Sequence, residues 1–119
     1  MKPQLFQIGH IPAALWNPSS ERVIVAVHGA QSSKTDVPVR LLAEAFSDRQ
    51  ILSFDLPEHG DRKDGPVLCK PPVCVRELSV VLDYAENRWR DLGLFAVSMG
   101  AYFSLLACPG RRISRAWFL

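Results

Sequence analysis

The sequence lacks a long hydrophobic run, a strong charge imbalance and an even set of cysteines. No segment approaches the roughly 20 consecutive apolar residues of a membrane-spanning helix, and residues 1–10 lack the apolar stretch of a signal peptide. The net charge of +2 is too small to indicate nucleic acid or a membrane surface as a partner. Because there are three cysteines and no export signal, we expect reduced thiols and a cytoplasmic location.

Motifs for common cofactors and metals are also missing. No G-x-G-x-x-G and no G-x-x-x-x-G-K-[ST] occurs, which argues against dinucleotide binding and against a P-loop. Cys69 and Cys74 flank a Lys-Pro-Pro-Val segment without a matching second pair, so a zinc site is disfavoured. We therefore predict neither a cofactor nor a metal.

What the sequence does contain is an alternation of apolar strands and amphipathic helices. At 119 residues, 48% hydrophobic and 22% charged, it has the size and composition of one globular domain. The mainly apolar segments 22–27, 50–54 and 92–97 predict strands buried on both faces, and their alternation with helical segments predicts an α/β fold with a mainly parallel sheet. The other predicted elements are short extended segments at 5–8 and 13–16, helices near 36–46, 71–89 and 101–107, and a fourth strand at 113–119.

The three buried strands all end in residues that can carry chemistry. His28, Asp55 and Ser98 directly follow these strands. Because parallel strands end at the same edge of a sheet, where ligands bind in such folds, we expect the three loops to meet there. The sequence therefore predicts one functional site at this edge.

Ser98 stands where a strand turns directly into a helix. Such a turn holds one residue in a strained conformation above the sheet edge, and residues two positions away must be small, as Ala96 and Gly100 are. This pattern indicates a nucleophile elbow. A serine that only caps the following helix would stand in a similar sequence pattern, so this alternative stays open at this point.

The loop that begins at His28-Gly29-Ala30 could assist such a nucleophile. Acyl transfer develops negative charge on a carbonyl oxygen, which backbone N–H groups stabilise. The N–H of Met99, directly after the serine, and the N–H of Ala30 are placed to serve as these two donors. Taken alone, the His-Gly pair would be a plain turn.

The remaining polar residues have simpler interpretations. We expect the loop from Asp55 to Gly60 to form a wall of the site, and we do not assign His59 as a general base; His28 and His10 are weaker candidates still. Lys34, Asp36 and the charged residues at 61–64 are interpreted as solvated loop charges. The arginines at 111, 112 and 115 are interpreted as a solvated turn.

Three segments together resemble a known superfamily. Val27-His28-Gly29, the segment 54–60 (Phe-Asp-Leu-Pro-Glu-His-Gly) and the segment 96–100 (Ala-Val-Ser-Met-Gly), in that order, resemble the α/β hydrolases. Within them the chain resembles serine hydrolases of the esterase, acylglycerol-lipase and acyl-peptidase kind, although Glu58 stands where they often have glycine. The resemblance implies a catalytic triad with Ser98 as nucleophile, an oxyanion hole formed by the N–H groups of Ala30 and Met99, and a small-molecule acyl substrate.

The triad acid and histidine of that superfamily have no counterpart after Ser98. Residues 99–119 contain no Asp, Glu or His. We therefore expect residues 1–119 to be the N-terminal part of a single α/β-hydrolase domain, with helices on both faces of the sheet and truncated before the last strands. Alone, it should be catalytically poor and prone to self-association through an exposed strand edge.

Two other functions remain compatible with the sequence. A non-catalytic module of the same fold, which binds a ligand or partner at the edge near His28 and Ser98, would need no triad acid or base. An acyltransferase on the same scaffold would share all the features above.

Overall fold

A computed structural model describes residues 2–119 as a six-stranded sheet with helices on both faces; Met1 lies outside the described residues. In chain order the elements are β1 (Gln4–Ile8), β2 (Ile11–Trp16), β3 (Arg22–Val27), α1 (Val37–Ala45), β4 (Gln50–Phe54), a single 3-10 turn (Gly60–Arg62), α2 (Pro71–Arg88), β5 (Asp91–Ala96), α3 (Met99–Ala107) and β6 (Arg115–Phe118).

The sheet is parallel at its centre and antiparallel at one side. Its strand order is β1-β2-β4-β3-β5-β6, in which β3 pairs in parallel with both β4 and β5, and β5 pairs in parallel with β6. The hairpin of β1 and β2 adds to β4 in antiparallel orientation. The prediction of an α/β fold with a mainly parallel sheet is confirmed, and the ends of β3, β4 and β5 lie at one edge.

The central strands are buried because helices cover both faces of the sheet. Successive side chains of a strand point to opposite faces, so Val25 of β3 packs towards α2 and α3 while Ile24 packs towards α1. All five residues of β4 are buried, as the apolar run predicted. The expectation of helices on both faces is confirmed.

The element boundaries follow recognisable signals. The Asp36 side chain accepts a hydrogen bond from the N–H of Val37 and caps α1 as predicted, and Pro71 opens α2. Two predicted strands differ at their ends. The strand predicted at 92–97 is observed one residue earlier, and the strand predicted at 113–119 is shortened to β6.

The outer strand β6 leaves one edge of the sheet open. It is mostly exposed, and Phe118 and Leu119 are exposed with it. Self-association through this edge stays a prediction. None of the helices within residues 2–119 is long and apolar enough to cross a membrane.

Arg62 corrects one sequence expectation, because it is buried rather than solvated. The 3-10 turn folds back onto α2, where the guanidinium donates to both carboxylate oxygens of Glu77 at 2.5 and 3.0 Å. His10 lies 2.9 Å from the same carboxylate. Burial alone would raise the pKa of Glu77, but the hydrogen bonds from Arg62 and His10 outweigh it and hold that pKa below its ordinary value.

Arg111 is a second correction. The turn after α3 was expected to be solvated, yet the Arg111 side chain is largely covered and donates to Asp83 and Glu86 of α2 at 2.6 and 2.7 Å. It also donates to the Ser79 carbonyl oxygen at 3.2 Å. This arginine therefore joins the two helices that cover one face of the sheet.

Replacing Arg62 by methionine should destabilise the fold strongly. The Glu77 carboxylate would stay buried with His10 as its remaining partner, and breaking a buried ion pair typically costs about 3–5 kcal/mol. Urea unfolding followed by circular dichroism measures the change. The matched control is Arg76→Met on the exposed side of α2, expected within about 0.5 kcal/mol of the parent. Equal effects of the two substitutions would contradict a stabilising role for the buried pair.

Candidate functional site

Ser98 occupies a strained position between β5 and α3. Its φ of 51° and ψ of −113° lie in a region that residues with a side chain rarely adopt. Its side chain makes no capping hydrogen bond to α3, so the alternative of a helix-capping serine does not describe this geometry. Ser98 instead sits at a sharp strand-to-helix turn, as in a nucleophile elbow.

The small residues around Ser98 are required by close backbone contact. A Cβ atom added to Gly100 would lie 2.5 Å from the carbonyl oxygen of His28 and 2.7 Å from that of Val27. Ala96, on the other side, is fully buried. The first turn of α3 therefore packs directly on the end of β3, and a larger residue at 100 would push it away.

The loop after β3 lies beside Ser98. A Cβ atom added to Gly29 would be 3.2 Å from the carbonyl oxygen of Val97 and 3.4 Å from the Ser98 Cβ. Within residues 2–119, the N–H groups of Ala30 and Met99 donate no hydrogen bond to another residue. Two backbone donors without partners thus belong to the segments that flank the serine.

A cavity of about 410 Å³ opens between Ser98 and this loop. Its volume falls within the roughly 300–1,000 Å³ of small-molecule sites. Its lining includes Val39 of α1, Phe95 of β5, the loop residues His28 and Ala30, and Ser98 itself.

His28 holds the loop in place rather than acting on the serine. Its Nε2 accepts a hydrogen bond from the N–H of Leu56 at 3.0 Å, so the ring proton is on Nδ1, which donates to the Gly29 carbonyl oxygen at 2.8 Å. Burial lowers the pKa of His28 below its ordinary value. A neutral imidazole therefore joins the loops that follow β3 and β4.

The other two histidines are also engaged elsewhere. His59 Nδ1 lies 2.9 Å from the Pro57 carbonyl oxygen, and its ring is 5.0 Å from that of His28. His10 is bonded to Glu77. In the part of the chain that the structure describes, no histidine is hydrogen-bonded to Ser98.

Lys34 and Asp55 form the main correction to the sequence expectations. Lys34 was expected to be solvated but is buried, with Nζ 2.7 Å from both the Asp55 and the Asp61 carboxylates. Burial alone would lower the pKa of Lys34, but the hydrogen bonds to Asp55 and Asp61 raise it above its ordinary value. The solvated interpretation was wrong because the two loops close over this ion pair.

Asp55 is fully buried and accepts two further hydrogen bonds. These come from the N–H groups of Lys34 and Asp61, each at 2.9 Å. Gly60 makes this possible, because it has a φ of +55° and any Cβ there would overlap the Asp55 carboxylate. The sequence predicts Asp55 at the sheet edge but not its buried partner Lys34, because nothing in the local sequence links the two loops.

Across residues 2–119, no three His, Cys, Asp or Glu side chains are grouped so that they could hold a metal ion.

Comparison with known proteins finds similarity in structure only. The sequence matches no family model and no curated protein. Among solved structures, a cold-adapted esterase from an Arctic intertidal metagenomic library aligns with a TM-score of 0.76 at 20% identity, over 98% of this chain and 58% of that one. A Thermus thermophilus protein aligns with a TM-score of 0.75 at 25% identity, over 99% and 56%.

A third similar structure is a Xanthomonas campestris protein described as an α/β serine hydrolase without a lid. It has a TM-score of 0.73 and 17% identity, and the alignment covers 90% of this chain and 56% of that one. Sequence identities this low support a shared fold and do not by themselves show a shared function. The chain spans about half the length of the structures that it matches.

Replacing Gly100 by alanine should destabilise the turn that holds Ser98. The new Cβ would meet two carbonyl oxygens of the sheet, and overpacking of this kind costs about 1–3 kcal/mol. Thermal unfolding of the variant measures the loss. As a matched glycine, Gly65→Ala brings its Cβ no closer than 3.3 Å to any atom and should change stability little. A Gly100→Ala chain as stable as the parent would contradict the close packing.

Stability should fall in mild acid because of His28. The pKa of His28 in the folded chain lies below the ordinary 6.5. Its contribution to the free energy of unfolding is therefore complete above pH 6.5 and is lost as the pH falls towards the pKa of the folded chain. One such group changes the free energy of unfolding by at most about 1.4 kcal/mol per pH unit. Urea midpoints between pH 7.5 and 5 should show a weaker decline for His28→Gln than for the parent or for His59→Gln. An equally steep decline in His28→Gln would contradict this assignment.

Proposed function

Because the chain has the α/β-hydrolase fold, we propose that it carries the nucleophile and oxyanion hole of a serine hydrolase. The observation that carries this proposal is the position of Ser98. It is held at φ 51° above the sheet edge, beside two unused backbone donors and a cavity of about 410 Å³. The proposed substrates are small molecules with a carboxylic ester, thioester or amide bond.

In this proposal the Ser98 Oγ attacks the carbonyl carbon of the substrate. The carbonyl oxygen becomes an oxyanion and accepts hydrogen bonds from the N–H groups of Ala30 and Met99. The leaving group departs as the carbonyl re-forms, and water then releases the acyl group from Ser98. The donors are fixed before substrate arrives, since His28 and Lys34 hold the loop that carries Ala30.

The proton on the Ser98 hydroxyl needs a base, and none of the three histidines is bonded to it. We propose that residues 1–119 form the first half of a larger single domain whose other half supplies the triad acid and histidine. The chain's span of about half of its structural neighbours supports this. Without that base, Ser98 should react slowly.

A fluorophosphonate probe tests the assignment on the chain as it stands. We expect labelling of Ser98 about 10⁴–10⁶-fold slower than in an enzyme with a complete triad. Added imidazole, which can take the serine proton, should accelerate the labelling. Intact-mass and peptide mass spectrometry identify the labelled residue and its rate.

Two variants serve as controls for this experiment. Ser98→Ala should abolish the imidazole-dependent labelling, while Ser47→Ala, on an exposed turn after α1, should leave it unchanged. Fast labelling without imidazole would contradict the proposal that Ser98 lacks a base in this chain. Labelling that persists in Ser98→Ala would contradict the nucleophile, and the complete absence of labelling with imidazole would favour a non-catalytic binding module.

A further inference from the structure

Two cysteines outside the candidate site lie in direct contact. The Sγ atoms of Cys69 and Cys74 are 3.6 Å apart at the start of α2. Cys74 is fully buried in the core beneath the helix, whereas Cys69 is half-buried. The third cysteine, Cys108, is half-buried at the end of α3 and serves as an internal comparison.

Hydrogen bonds fix the backbone at both cysteines. The N–H of Cys69 donates to the Glu58 carboxylate at 2.6 Å, and the N–H of Cys74 donates to the Lys70 carbonyl oxygen at 2.9 Å. Pro71 and Pro72 stiffen the chain between them. A disulfide needs an S–S distance of about 2.05 Å, so the sulfurs, which are 3.6 Å apart, have to approach by less than about 2 Å.

We propose that Cys69 and Cys74 form a reversible disulfide within the chain when it meets a peroxide. The thiolate of Cys69 attacks one peroxide oxygen, the O–O bond breaks, Cys69 becomes a sulfenic acid, and the hydroxide that leaves takes up a proton from solvent to form water. The Cys74 sulfur then attacks the Cys69 sulfur, the S–O bond breaks, and the leaving hydroxide takes the proton of the Cys74 thiol, which gives a second water. Two thiols are oxidised and one peroxide is reduced to two waters; a dithiol reductant reverses the change.

The order of these steps follows from the surroundings of each sulfur. Burial, together with the neighbouring Cys69, raises the pKa of Cys74 to about 12, so Cys74 stays a thiol at neutral pH. Cys69 is the more accessible of the two and meets the oxidant first.

The bridge would tie the loop beside the candidate site to the core. Glu58, which binds the Cys69 N–H, lies in a second cavity of about 460 Å³ together with Gln31, Ser32 and His59. Residues between Glu58 and Cys69 would then be anchored to α2 by a covalent bond as well as by hydrogen bonds. This proposal concerns the thiols alone and stands whether or not Ser98 is a nucleophile.

Peptide mapping tests the proposal directly. The reduced chain is treated with hydrogen peroxide, remaining thiols are alkylated, and trypsin releases residues 64–76 as one peptide, because Lys70 precedes a proline and is not cleaved. We expect this peptide to lose the mass of two hydrogen atoms and to escape alkylation. Its thiols should disappear on the order of 10-fold faster than that of Cys108, and a dithiol reductant should restore them.

Controls separate the folded pair from chance oxidation. Cys108→Ser should leave the result unchanged, and Cys69→Ser or Cys74→Ala should abolish the bridged peptide. The bridge should also be harder to reduce in the folded chain than in the chain unfolded by guanidinium, because contact in the fold favours it. Equal alkylation of all three cysteines after peroxide, a bridge between two chains, or an equally reducible bridge in both states would overturn the proposal.

Discussion

The arrangement at the sheet edge depends on the buried carboxylate of Asp55. It accepts hydrogen bonds from the Lys34 and Asp61 N–H groups and pairs with the Lys34 ammonium at 2.7 Å. Burying two charges is costly unless every bonding position is satisfied, and here the two loops supply the partners by closing over the pair. The loop that carries Ala30 is thereby held against the loop that follows β4, and the neutral His28 adds a second link between them.

The same edge also holds a backbone conformation that is unfavourable in isolation. Ser98 remains at positive φ because α3 packs against the carbonyl oxygens of His28 and Val27, a contact that only glycine at position 100 permits. The sheet in turn is fixed by β3 and β4, which are covered on both faces. Strain at the serine is therefore offset by packing elsewhere, and two N–H groups beside it are left without partners. Under the proposed function, these two donors would stabilise the oxyanion of acyl transfer.

Features encoded locally could be predicted from the sequence, and features that need distant partners could not. The buried strands, the Asp36 cap and the turn at Ser98 each follow from a few adjacent residues. Lys34 and Arg62 were misread because a charged residue in a polar loop has the same local pattern whether it is solvated or paired. Their partners, Asp55 and Glu77, lie 21 and 15 residues away in the chain. The contact between Cys69 and Cys74 could likewise not be predicted, because their spacing in the sequence does not show on which side of α2 Cys69 lies.

The central proposal is that the N–H groups of Ala30 and Met99 bind an oxyanion formed at Ser98. The most direct measurement is the amide proton spectrum of the chain before and after slow phosphonylation of Ser98. A phosphonyl oxygen seated between the two donors should move the amide protons of Ala30 and Met99 downfield, with much smaller changes at amides of the distant hairpin of β1 and β2. Adduct formation at Ser98 without a shift at either amide would contradict the claim.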